Sequence, residues 1–216
     1  MTSSAPIDAK ATMRQGNLSR QRPRSMWRRD AILDEAISLA SAGGYEAVQM
    51  RTIADQAGIA VGTLYGYFPS KTHLLVSALT REFLRVEAMR DWSTIADDPP
   101  QRLAHLTQCL HAEWQRDPLL TEAMTRAFVV ADTTAADEVD RATGVIARVL
   151  ARALSGGEPS PNHLLIAGLL CDIWLANLTR FIGKRVSADE ARNNIDRATR
   201  LILTSHSSPI TVERYY

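Results

Sequence analysis

The stretch from Arg51 to Lys71 constrains this chain more than any other. Ile53, Ala54 and Ala57, then Leu64 and Phe68, recur at helical spacing in two runs, each too short to hold as a helix in water by itself, with Gly58 between them. Glycine at that point permits a tight turn through Ile59 and Ala60, so the spacing predicts short helices over about 51–57 and 61–68. Such helices persist only when another covers their apolar faces. The preceding segment supplies one: Ile32, Ala36, Leu39 and Ala40 form a stripe over about 27–42, closed by Gly43 and Gly44. Pro69 cannot continue the second short helix, which leaves Ser70 to cap a long one over about 71–92.

Beyond Pro100 the same three-and-four spacing predicts helices over about 101–116, 118–131, 135–154, 162–183 and 188–205, while alternating valine, isoleucine and threonine runs are absent. The expected fold class is all-α. A length of 216 residues with 45% apolar and 23% charged side chains suits one domain or a small one fused to a larger, and excludes disordered and fibrous classes. Cys109 and Cys171 lie far apart and outside any paired motif, as expected of small buried hydrophobes in a reducing compartment. His73, His105, His111, His163 and His206 share no metal-ligand spacing with one another, so neither a metal nor a cofactor is expected. Phosphate loops, nucleophile elbows and dinucleotide fingerprints are missing, which argues against an enzyme. The first 26 residues lack a secretory pattern. The most apolar run, 164–171, stops at Asp172, too short and too polar to span a bilayer, so the expected setting is the cytoplasm with no membrane partner.

Charge is uneven. Residues 1–29 hold seven basic side chains and one acid, a net of +6, and the remainder carries −5. That tail reads as an electrostatic arm for phosphates or as a solvated segment, and charge alone leaves both open.

Two short helices joined by a glycine turn, with a third helix packed on them, is the helix-turn-helix plan. Once the inward residues are assigned, Thr63, Tyr65 and Tyr67 are left on other faces of the second short helix, next to Lys71 at a helix start. Hydroxyls donate to phosphates, and a threonine methyl or tyrosine ring can touch a thymine methyl, so this surface suits nucleic acid. The bland alternative makes the tyrosines core aromatics.

The segment from Gly44 to Lys71, ending Thr63-Leu64-Tyr65-Gly66-Tyr67-Phe68-Pro69-Ser70-Lys71, resembles the DNA-binding segment of TetR-family transcriptional regulators. With its continuation 74–79, and with 118–132 in the other half, it looks most like the KstR-type repressors of bacterial cholesterol and steroid catabolism. The charge sets off a basic arm over 1–26, and the resemblance, which covers about Asp30 to Leu203, implies a DNA-binding domain over 27–75 and a ligand-binding and dimerisation domain over 76–216. It places Arg51 and Thr52 where the second helix meets the DNA backbone and groove edge. Val61, Gly62, Thr63, Tyr65 and Tyr67 fall on the recognition helix, and Lys71 at a phosphate-binding helix start. The subgroup usually has arginine where this chain has Gly66, which puts one contact in doubt and weakens the helix by about 1 kcal/mol relative to alanine.

The same resemblance implies a homodimer on a palindromic operator in double-stranded DNA, paired through the last two long helices. It implies release by a hydrophobic effector, a steroid acid or its coenzyme A thioester. Candidate pocket residues are Met89, Trp92, Leu106, Cys109, Leu110, Trp114, Met124, Phe128 and Trp174, with Asn177 and Arg126 to orient a polar end. Such stripes also make plain core. The competing functions are a TetR-type repressor of another lipid or efflux pathway, a DNA binder without an effector, and, distantly, a helical enzyme.

Overall fold

A computed structural model describes residues 24–91 and 98–207. The described residues are helical throughout, as the periodicity predicts: α1 Arg24–Ala47, α2 Met50–Gln56, α3 Val61–Tyr67, α4 Lys71–Ala88, α5 Pro99–Arg116, α6 Pro118–Val129, α7 Ala136–Ser155, α8 Pro161–Ile182 and α9 Ala188–Ser207, with a 3₁₀ turn at Thr133–Ala135. Regular helix in α1 breaks at the expected place. Gly44 takes φ +68°, a left-handed angle that side chains rarely adopt, so the chain kinks there and Tyr45 and Glu46 are turned onto α6.

Caps fix the other ends. The Ser70 hydroxyl accepts from the backbone N–H of His73, and Asp117 Oδ1 accepts from that of Leu120. At the far end of α7 the buried Arg102 guanidinium donates to the carbonyls of Ala153 and Leu154, 2.7 Å each. Gly156 follows with φ +71°, and a Cβ there would lie 3.1 Å from Arg102 Cζ, so a left-handed, side-chain-free residue is required.

Two apolar clusters form. The first gathers Ile32, Ala36 and Ala40 of α1, Ile53 of α2, Leu64 of α3 and Leu74 and Leu75 of α4, and it also takes in Ala123 and Ala127 of α6. The second joins α5, α7, α8 and α9 through Leu106, Leu150, Leu170 and Ile195, with Phe83 and Val86 of α4 packed against it. The α4 helix therefore runs from one core into the other, and α6 closes the first although it belongs to the second half of the sequence.

One helix end needs correcting. The α4 helix ends at Ala88, not near residue 92: Arg90, one turn beyond Val86, turns its guanidinium back onto the Val86 carbonyl, and Met89 caps the helix at 67% exposure. The α8 helix, expected over about 162–183, spans Pro161–Ile182 and is apolar well past Asp172, with a mean hydropathy of 1.5. In the fold this helix packs on α7 and α9 and buries Ile166, Leu170 and Trp174, which accounts for its inward face.

Candidate nucleic-acid interface and effector cavity

The α2 and α3 helices present one outward surface. Leu64 is fully buried and anchors α3, while Gly62, Thr63, Tyr65 and Gly66 are exposed, Tyr65 at 48%. Val61 and Tyr67 are half-buried against the first core, so Tyr67 sits between the two readings given above. On α2, Arg51 is exposed and Thr52 half-buried. No atom lies within 4 Å of the place a Cβ would occupy on Gly62 or Gly66, so both glycines leave the α3 surface open to a close neighbour.

Lys71 is more constrained than a free phosphate ligand. Its ammonium donates to the Tyr45 carbonyl at 3.0 Å, lies 3.8 Å from the centre of the Tyr45 ring and sits 4.0 Å from Glu46. Burial lowers its pKa from 10.5, with Glu46 opposing the shift and Arg126 adding to it.

Arg126 of α6 completes a clamp on the same ring. Its guanidinium stands 4.4 Å from the Tyr45 ring centre, pairs with Glu46 at 2.8 Å and approaches Glu122 at 3.6 Å. Glu122 in turn accepts from the Tyr45 backbone N–H at 3.3 Å. Tyr45 is thus held between a cation of the head and a cation of α6. Sequence reasoning missed this clamp, though an aromatic and an acid directly after a glycine pair are its visible signal.

The α6 helix also borders a cavity of about 190 Å³. Leu79 and Phe83 of α4, Thr125 and Phe128 of α6, and Trp174 and Leu178 of α8 form much of its wall. Two of the nine residues suggested for a pocket, Phe128 and Trp174, line it. Leu106 and Leu110 are buried in the second core, Trp114 packs there edge-on to Trp174, and Met124 packs on the first core. Cys109 is half-buried 3.6 Å from His105 Nε2, Met89 faces solvent, and Trp92 lies outside the described residues. Of the two polar candidates, Asn177 donates to the Ile173 carbonyl at 2.8 Å and Arg126 belongs to the clamp. Burial pushes the Cys171 thiol on the wall up to about 12, with the charge of Asp172 adding to the effect.

A second, more polar groove of about 390 Å³ runs past Arg29 and Arg81 between α1, α4 and α7. There Arg29 donates to the Ser77 hydroxyl and Arg81 pairs with Asp34, contacts that fasten α1 to α4.

Two family models match the chain. Residues 32–78 match the bacterial regulatory proteins of the tetR family, and residues 96–202 match a tetracyclin repressor-like C-terminal domain. The HTH-type transcriptional repressor KstR of Mycobacterium tuberculosis is 50% identical over 182 residues, 84% of this chain and 83% of that protein. The KstR repressor of Rhodococcus jostii is 46% identical over 195 residues, 90% of this chain and 91% of its own length. The chain belongs to the TetR family and is a regulator of the KstR type. A crystal structure of a TetR transcriptional regulator from Rhodococcus sp. RHA1 superposes with a TM-score of 0.71 at 27% identity, covering 83% of this chain and 97% of that one. This KstR-type regulator is a DNA-binding transcriptional repressor and not an enzyme. Of the basic arm expected over 1–26, residues 1–23, with Arg20 and Arg22, lie outside the described residues, whereas Arg24 and the two residues after it form the first turn of α1, so the helix begins before the expected boundary.

Proposed function

We propose that this repressor controls genes of steroid or cholesterol catabolism and leaves its operator when a steroid-derived metabolite, an acid or its coenzyme A thioester, enters the cavity against α6. The relatives' KstR identity supports the pathway. One observation carries the release mechanism: α4 and α6 wall the cavity through Phe83 and Phe128, and the same two helices reach the head, α4 by beginning within it at Lys71 and α6 by placing Arg126 on Tyr45.

Size gives that arrangement a direction. At about 190 Å³ the cavity falls below the roughly 300 Å³ at which small-molecule pockets begin, so a steroid-sized ligand has to push α4 and α6 apart. Displacing α6 pulls Arg126 from Tyr45 and Glu46, and the head turns. To move the population from 99:1 to 1:99 the ligand must favour the turned form by roughly 5.5 kcal/mol.

The DNA surface comprises Arg51, Thr52, Val61, Gly62, Thr63, Tyr65, Tyr67 and Lys71, within a head over 27–75 that follows an arm over 1–26 and precedes the effector and dimerisation domain over 76–216. Leu165 and Leu169 of α8 and Leu201 of α9 expose an apolar stripe, at 63%, 47% and 63%, which suits pairing with a second copy on a palindromic operator in the cytoplasm. The test adds a steroid acid, and separately its coenzyme A thioester, to the protein bound to its own promoter region. Release of DNA with a raised melting temperature supports the reading; release by an unrelated lipid or drug and not by either steroid leaves only the family function.

A further inference from the structure

The groove between α1, α4 and α7 is bordered by three arginines, and they differ in what answers their charge. Arg81 pairs with Asp34 at 2.7 Å and donates to the Asp30 carbonyl. Arg29 and Arg141 form no ion pair among the described residues. An arginine carries five N–H donors. Arg29 gives one to the Ser77 hydroxyl at 3.1 Å and lays its guanidinium 4.4 Å from the Phe68 ring centre, and its other donors have no acceptor among the described residues. Arg141 is exposed and makes no hydrogen bond there. Two uncommitted guanidinium groups, one from the head and one from the second half, therefore border the same groove.

Their charges oppose each other. Burial and the charge of Arg141 hold the Arg29 pKa below its ordinary value, with Glu138 and Asp30 opposing the shift. Glu138 also lies 3.9 Å from His73 Nε2, and Asp30 has a partner of its own. An oxyanion between the two guanidinium groups relieves both, and Ser77, buried in the groove wall, still has its hydroxyl proton to donate. Apolar side chains border the groove as well: Leu33, and the half-exposed Met26 and Leu84. Ser77 and Leu84 stand about 10 Å apart along the α4 axis, which sets the length of chain that reaches from one to the other. At about 390 Å³ the groove is in the size range of small-molecule sites, and it shares no lining residue with the α6 cavity.

We propose that this groove binds the carboxylate of a medium-chain organic acid, held between Arg29 and Arg141 with the Ser77 hydroxyl, its chain against Leu33, Leu84 and Met26, and that the bound acid straps the head to the second half. Its effect is opposite to an effector's. By joining α1 to α7 the acid holds the head where it stands, so operator binding tightens. That effect rests on the reading that release requires the head to turn, whereas binding of the acid does not.

The experiment titrates the full-length protein with octanoate, octanol and inorganic phosphate by calorimetry, and repeats the operator titration at saturating octanoate. Octanoate is expected to bind with a Kd below about 1 mM, and the other two at least about tenfold more weakly, since octanol lacks the charge and phosphate the chain. Arg141→Gln changes a side chain without partners, so the melting temperature without ligand should stay within about 1 °C while octanoate affinity falls about tenfold. Glu138→Gln, which removes the stronger of the two acids acting on Arg29, should raise that affinity about threefold. Operator affinity should rise about threefold with octanoate in the wild type and stay unchanged in Arg141→Gln. Equal octanoate binding by wild type and Arg141→Gln overturns the site, because the acid then lies elsewhere, the α6 cavity included. Phosphate binding as tight as octanoate overturns the class of ligand. Octanoate that binds through Arg141 yet leaves operator affinity unchanged or weaker overturns the strap. Release by the steroid thioester without octanoate tests the effector reading separately, so failure of one is not failure of the other.

Discussion

The two halves of the repressor state their purposes at different resolutions. The head is spelled by position: Gly58 at the turn, Leu64 inward, Tyr65 outward and Ser70 at the cap each have one role that another residue type would lose. The second half is spelled by property. Its helices need apolar residues at the right period, and which of these face a cavity and which face a core depends on how the helices cross. A reading surface must match a fixed partner, the DNA groove, whereas a cavity is whatever space the packing leaves.

The largest expected effect separates the halves by stability. Arg102→Leu strips the two carbonyls at the end of α7 of a buried charged donor and should cost about 3 kcal/mol, a fall in melting temperature of roughly 10 °C. The operator affinity of the protein that remains folded should be unchanged. An equal loss in both would mean that the halves do not act as separable units.

Tyr65→Ala should do the reverse. Tyr65 is half-exposed, so its removal should leave the melting temperature within about 1 °C and weaken operator binding by about tenfold. A mobility-shift titration beside a thermal melt checks both, and unchanged affinity would move the reading surface elsewhere.

What the sequence made legible follows the same divide. The α1 stripe, the Gly43-Gly44 stop, the turn at Gly58 and the Ser70 cap were readable because each rests on local chemistry that the next few residues determine. In the sequence Phe128 and Trp174 are large side chains on suitable helices, yet so are Leu106 and Leu110, which fill the second core. Nothing local distinguishes these pairs, because the crossing of α4, α6 and α8 decides between them. The early end of α4 was hidden for a related reason: Met89 continues the apolar pattern, but Arg90 reaches back to the Val86 carbonyl and the helix stops. The Tyr45 clamp joins residues 45, 46, 71, 122 and 126, a separation that periodicity does not see.

Gly66→Arg sharpens the account of the head by a smaller amount. Space around Gly66 is open and its backbone is helical, so the substitution should add about 1 kcal/mol of stability and tighten operator binding. Weaker binding in the stabilised variant would show that the DNA approaches the α3 backbone closely at this point.

The smallest effect belongs to the second half. Burial holds the His111 pKa below 6.5, helped by Arg192 and opposed by Asp189 and Asp196, so the unfolded chain takes up this proton before the folded one. The stability this confers is complete above pH 6.5 and declines as the pH falls from there through the lowered folded value. Melting temperatures between pH 7.5 and 5 should fall on acidification, and His111→Gln should remove that part of the slope while leaving the head's DNA affinity unaltered.

The central claim is that α6 joins the halves, with Arg126 as its hold on the head. The direct measurement is the coupling between operator and effector in Arg126→Met, which keeps the length of the side chain and removes its charge. Operator affinity is measured with and without a saturating steroid coenzyme A thioester, and the thioester's affinity with and without operator, since the two factors must agree. The account predicts that the variant binds each ligand about as well as the wild type does in isolation, while the factor by which one weakens the other drops at least about tenfold. A coupling factor equal to that of the wild type would show that the effector reaches the head by another route and would contradict the account.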